Sequence, residues 1–140
     1  GYLGRMKGRV ALLVSVVLAA FAFGALSATA ASNGTYKGKT PGGLDVLVKV
    51  KGGKVVKFDG DVYTSIGITS FVFPPSGQKG KKITIKPNGT FRAVFQASPG
   101  DYSWKDDKRT VTGKFKGGKV TGSMKVEGLI SGEDTYSAKR

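Results

Sequence analysis

From Gly34 onward, the apolar residues of this sequence recur at every second position, and turn residues interrupt them at short, regular intervals. Such alternation is typical of half-buried β-strands, and no stretch after Ala31 shows the 3.6-residue period of a helix. The pattern predicts an all-β domain, folded as a single antiparallel β-sandwich or β-barrel of about 8–10 strands.

The sequence KVKGGKV at residues 49–55 returns as KFKGGKV at residues 114–120. A Gly-Gly pair between two alternating segments indicates a two-residue hairpin turn. In the second copy, such a turn pairs Phe115 with Val120 and keeps the apolar side chains on one face. In the first copy it would place a valine opposite Lys57, so a three-residue loop or a β-bulge is expected there.

A third hairpin is predicted around Pro87-Asn88-Gly89, with Lys86 facing Thr90 and Ile83 facing Ala93. The motif GTYK before the first lysine hairpin resembles GTFR before the second, which suggests two related β halves. Parity along the strands assigns four phenylalanines to the core. They are Phe58, Phe91, Phe95 and Phe115. Further strands are expected at residues 35–40, 62–73 with a break near Gly67, 102–104 and 135–139.

The N-terminus predicts export. Two basic residues, an uncharged apolar run from Val10 to Leu26 and an Ala-Thr-Ala site at residues 28–30 form a signal peptide pattern. Residues 1–30 are therefore interpreted as a hydrophobic signal helix, with residues 1–5 before Met6 as a leading scar or overlong start, and 31–140 as one β domain. The apolar run is also at the lower limit for spanning a bilayer, so a retained helix is the alternative.

The chain is strongly basic, with 23 Lys and Arg against 9 Asp and Glu and a net charge of +14. Such a balance favours anionic polymers and acidic surfaces through long-range attraction. It also contains no Cys, so an exported form has no disulfides and depends on its sheet and core for stability.

The absence of His and Cys excludes Ser-His-Asp and Cys-His nucleophile systems and Cys/His zinc sites. Carboxylate pairs could still serve glycan hydrolysis. The pairs are Asp59 with Asp61, Asp106 with Asp107, and Glu133 with Asp134. We interpret them as solvated loop and turn residues, and expect no enzymatic activity, no cofactor and no metal.

Two groups of side chains are candidates for binding. The first comprises the hairpin lysines, whose flexible ammonium groups suit diffuse, salt-dependent contact with anions. The second is an aromatic pair beside charged residues, which suits stacking on a sugar or base. The lysines are Lys49, Lys51, Lys54, Lys114, Lys116 and Lys119, and the aromatic residues are Tyr102 and Trp104. A solvated sheet face and aromatic caps on the core are the structural alternatives.

Taken together, NGTYKGKT, VKVKGGKVVKF, ITIKPNGTFRAVF and VTGKFKGGKVTGSM resemble a recurrent type of small bacterial exported β domain, a group of uncharacterised secreted proteins. The resemblance implies an exported antiparallel β fold and implies no activity.

The sequence therefore predicts a secreted, non-enzymatic domain of the cell surface that binds an anionic polymer or envelope glycan through its lysine-rich face. We expect no specific nucleic acid as a partner. Contact with a membrane is expected only through residues 10–26, and only if they are uncleaved. A membrane-anchored or filament-forming subunit with that helix retained is the alternative, and a carboxylate-dependent glycan-active enzyme is the third. The sequence leaves the oligomeric state open.

Overall fold

The computed structural model describes residues 31–96 and 107–140, which form nine antiparallel strands. The predictions for residues 1–30 and for the strand at 102–104 lie outside these ranges. The strands are β1 (Gly34–Lys39), β2 (Asp45–Lys51), β3 (Lys54–Thr64), β4 (Gly67–Phe73), β5 (Ile83–Thr84), β6 (Thr90–Phe95), β7 (Lys108–Lys116), β8 (Lys119–Glu127) and β9 (Gly132–Lys139). The described ranges contain no helix, and therefore none long and apolar enough to cross a membrane.

All nine strands belong to one sheet with the order β4-β3-β2-β1-β9-β8-β7-β6, and β5 pairs with β3 beside this path. The order consists of two four-stranded meanders, β1 to β4 and β6 to β9, joined where β1 pairs with β9. The sheet curls strongly into a half-barrel. The all-β, antiparallel prediction is confirmed, and the architecture is a single curled sheet rather than a two-layered sandwich.

The two meanders repeat each other in strand order, and their first strand pairs share one register. Gly34 pairs with Val50 in the first meander. At the equivalent position of the second, the backbone N–H of Phe115 donates to the carbonyl oxygen of Gly89 at 2.9 Å. Each GTYK-like segment thus begins opposite the residue two positions before a Gly-Gly turn. The second strand pair of each meander differs, because β2–β3 contains a register shift and β7–β8 does not.

Both lysine hairpins close through two-residue turns in which each glycine has a positive φ, between 57° and 76°. This left-handed conformation carries no steric penalty in glycine. In the second hairpin, Phe115 pairs with Val120 as predicted. In the first, Val50 pairs with Val55 but Lys49 pairs with Lys57, so the register shifts by one residue. The bulge keeps the valines of β2 and Phe58 of β3 on the same inner face, as the alternation required.

The prediction for the third hairpin is only partly correct. Its turn forms, because the N–H of Lys86 donates to Thr90 O at 2.8 Å. The strand before it, however, leaves the hairpin, and Ile83 pairs with Val55 of β3 instead of Ala93. The pairing between β3 and β4 ends at Phe58. Lys54 and Val55 of β3 therefore have no partner in β4, and β5 pairs with them instead. Unpaired backbone groups in a core are costly, which favours this pairing over the local one.

The inner face of the half-barrel is the core, where the four predicted phenylalanines are all buried. The Phe58 and Tyr136 rings meet edge to face with their centroids 5.4 Å apart. Glycines permit the tight curl: a Cβ on Gly38 would lie 1.8 Å from the carbonyl oxygen of Ser137, and one on Gly122 would lie 1.9 Å from that of Thr112. Glycine at such positions allows backbones to approach where a side chain would hold them apart.

A buried arginine, itself held in an ion pair, connects the two meanders across the core. Arg109 of β7 is 6% exposed, and its Nε lies 2.9 Å from Oδ1 of the buried Asp107. Its Nη1 donates to the carbonyl oxygen of Ser70 on β4, and its guanidinium lies 5.5 Å from the centre of the Phe71 ring. Arg109 thus ties β7 to the far strand of the other meander.

Candidate anion-binding surface

The lysines of the first hairpin lie in two facing pairs on the outer side of the sheet. Lys51 pairs with Lys54 beside the turn, and Lys49 pairs with Lys57 two positions further along. All four side chains are exposed. The bulge creates the second pair, because it shifts Lys57 into register with Lys49.

The second hairpin belongs to a longer arrangement. Lys116 of β7 pairs with Lys119 of β8, Lys119 pairs with Lys139 of β9, and Lys139 pairs with Lys37 of β1. These four exposed residues form one line across four neighbouring strands, which we call the lysine row. Neighbouring strands are about 4.8 Å apart, so the row places four positive charges over about 14 Å.

No residue of the described ranges forms an ion pair with a lysine of the row. The surface ion pairs of the described ranges involve other lysines: Lys39 with Asp45 at 2.6 Å and Lys125 with Glu127 at 3.5 Å. Like charges directly opposite each other in a sheet are destabilising. Among the described residues, no ion pair therefore offsets the positive charge that the row concentrates.

The antiparallel order gathers the basic hairpins at one end of the half-barrel. The Gly52-Gly53 and Gly117-Gly118 turns lie at this end, together with the start of β1 and the end of β9. No acidic residue occurs within five positions of either glycine pair. By contrast, β2 begins with Asp45 and β8 ends with Glu127, both at the opposite end. The domain is therefore polarised along its strands.

The lysine row ends where acidic residues begin. Lys37 pairs with Leu47, and Leu47 pairs with Asp59 on β3. Partial burial raises the pKa of Asp59 above its ordinary value, and the neighbouring charge of Asp61 raises it further, while Lys57 acts in the opposite direction. A depression of about 460 Å³ on this outer face is lined by Lys37 together with Asp45, Asp59 and Asp61. An anion following the row would meet repulsion here.

In each carboxylate pair considered for catalysis, at least one member is bonded to, or paired with, a neighbouring residue of the sheet. Asp61 accepts a hydrogen bond from the Ser70 hydroxyl at 2.7 Å. Glu133 pairs with Lys125, and Asp134 Oδ1 accepts from the N–H of Thr135 at 2.8 Å. Asp107 is buried against Arg109, and its partner Asp106 lies outside the described ranges. Within those ranges, no group of three or more acidic side chains could hold a metal ion.

The structure places further lysines beside the predicted set, and it does not describe the aromatic pair. Tyr102 and Trp104 lie outside the described residues. Lys37, Lys57 and Lys139 were missed, because their place beside the hairpin lysines depends on the bulge and on pairing with β9. The sequence carries no local signal for the row, since Lys37 and Lys139 come from opposite ends of the domain.

Comparisons of the chain with models of protein families, with curated proteins and with solved structures found no match in any of the three. Its function is therefore inferred from the geometry and charge of the sheet.

Proposed function

We propose that this is a secreted, non-enzymatic domain of the cell surface that binds an anionic polymer, such as a charged envelope glycan, along the lysine row. The observation that carries the proposal is the line of Lys116, Lys119, Lys139 and Lys37 across four strands with no acidic partner among the described residues. A bound anion relieves the mutual repulsion of these lysines, and that relief adds to the attraction itself.

An extended polymer fits the row better than a compact ligand does. Four charges over about 14 Å match a chain that carries repeated negative groups. Lysine ammonium groups are flexible point charges, so they follow such a chain without selecting one planar geometry. The exposed outer face leaves the approach open along the whole row.

The test compares two double variants of equal net charge. Lys119→Gln with Lys139→Gln interrupts the row, whereas Lys39→Gln with Lys125→Gln removes the two lysines that have acidic partners. Heparin and inorganic polyphosphate serve as probes, with affinity measured by calorimetry at several salt concentrations. For about four neutralised charges, log Kd should change with log salt by a slope of about 3 in magnitude.

The row variant should bind either probe much more weakly and with a smaller salt slope, while the control variant stays close to the parent. Equal losses in the two variants would refute a specific row, because net charge alone would then explain binding. Affinity that does not change with salt would refute the electrostatic proposal altogether.

The alternative of an anchored or filament-forming subunit depends on residues 10–26, outside the described ranges. N-terminal sequencing of the exported protein separates the two proposals. A mature chain beginning at Ala31 would exclude the retained helix.

A further inference from the structure

A second basic feature of the outer face has a different composition from the row. A depression of about 400 Å³ lies over β6, β7 and β8. The short side chains of Thr90, Thr112 and Thr121 line it, together with three long cations. The cations are Lys86, Arg92 and Lys114. We call this feature the threonine pocket.

The sheet register builds the pocket from two adjacent lines of residues. Lys114 of β7 lies between Thr90 of β6 and Thr121 of β8. Arg92 lies opposite Thr112 in the neighbouring line, two positions along the strands. The backbone N–H of Lys86 donates to Thr90 O, which places Lys86 beside Thr90, on the side away from Lys114. Because side chains at every second position of a strand share a face, the threonines, Arg92 and Lys114 project outward together.

Within the described part of the chain, three cations and one hydroxyl of the pocket are free to donate to an anion, whereas the other two threonine hydroxyls are engaged within the protein. Among the described residues, neither the three cations nor the Thr121 hydroxyl has a hydrogen-bond or ion-pair partner, and no acidic residue lines the pocket. The Thr90 hydroxyl donates to Asn88 Oδ1 at 2.6 Å, and the Thr112 and Ser123 hydroxyl oxygens lie 2.8 Å apart. Arg92 contributes a planar guanidinium, which binds tetrahedral oxyanions through two parallel hydrogen bonds.

We propose that the threonine pocket binds a phosphate or sulfate ester group carried on a sugar. A volume of about 400 Å³ suits a monosaccharide unit better than a lone ion. Lys114 lies two residues from Lys116, on the same face of β7, so the pocket adjoins one end of the lysine row. This inference rests on the proposed function, and it identifies the polymer as one with ester-linked tetrahedral anions.

Nuclear magnetic resonance titration of the domain tests the pocket, with glucose 6-phosphate, glucose 6-sulfate and glucose as separate probes. At least one ester should give saturable shifts at the backbone amides of Thr90, Thr112 and Thr121, and glucose should give none. The ester that binds identifies the type of anion. Arg92→Gln or Lys114→Gln should weaken its binding about tenfold or more, as expected for a lost charged hydrogen bond, and Lys125→Gln should not.

Arg92→Lys keeps the charge but removes the planar fork, so it should also weaken ester binding. Shifts no larger than those with glucose, or ester affinity unchanged in Arg92→Gln, would overturn the pocket. The row variant, Lys119→Gln with Lys139→Gln, separates the two proposals. It should lose polymer affinity and keep ester affinity. Loss of polymer binding to the row with no ester binding at the pocket would refute the pocket alone.

Discussion

Lys119 lies between two other lysines, Lys116 on one neighbouring strand and Lys139 on the other. Replacing it with glutamate converts two repulsive cross-strand contacts into two attractive ones. Each such contact contributes about 0.2–1 kcal/mol in a sheet, and exposed pairs belong to the lower part of that range. We therefore expect Lys119→Glu to raise the free energy of unfolding by about 1 kcal/mol at low salt, although it removes a residue proposed for binding.

The assay is urea and thermal unfolding at low salt and at about 1 M salt, where charges are screened beyond about 3 Å. For a domain of this size, the low-salt gain corresponds to a rise in Tm of about 4 °C, and most of it should disappear at high salt. The control is Lys125→Glu, which makes the same change in net charge. Lys125 lies opposite Glu133 and forms an ion pair with Glu127, so this control should lose stability.

Equal stabilisation by Lys119→Glu and Lys125→Glu would show that overall charge, not the row, determines the effect. No gain in Lys119→Glu at low salt would show that the row lysines separate into water without repelling one another. Either result would remove the physical reason for expecting anion binding at the row.

Three further predictions concern the fold. Arg109→Met should lower the free energy of unfolding by about 3 kcal/mol in urea titration, because it breaks the buried pair with Asp107 and the bond to β4; a loss below about 1 kcal/mol would contradict this. Burial raises the pKa of Tyr136 above its ordinary value of about 10, so the neutral hydroxyl contributes its full stability below that pH and progressively less above it. Tyr136→Phe should flatten this alkaline decline, and an unchanged pH profile would argue against it. Gly38→Ala should lower the free energy of unfolding by more than about 2 kcal/mol or prevent folding, since its Cβ would collide with the backbone. Gly42→Ala, in an exposed loop, is the control and should change stability by less than about 1 kcal/mol. Similar losses in both variants would refute the close-approach explanation.

The alternation and the turn residues predicted much of the local structure. Period-two patterning correctly divided core from surface in both lysine hairpins, and it predicted a three-residue loop or a bulge in the first, where the structure has a bulge. The prediction was wrong for Ile83, where the local hairpin rule was overridden by an open edge on a distant strand. Turn chemistry specifies pairing only between strands that adjoin the turn, so it could not anticipate this outcome.

The sequence by itself determined that the chain forms antiparallel strands with outward lysines beside two glycine turns, because both properties depend on residues a few positions apart. Only the tertiary structure decided which strands became neighbours. The pairing of β9 with both β1 and β8 brings Lys139 and Lys37, about a hundred positions apart, into line with the second hairpin. Such pairing is selected by burial of the shared core, which no local pattern encodes. The lysine row and the threonine pocket are therefore properties of the folded sheet.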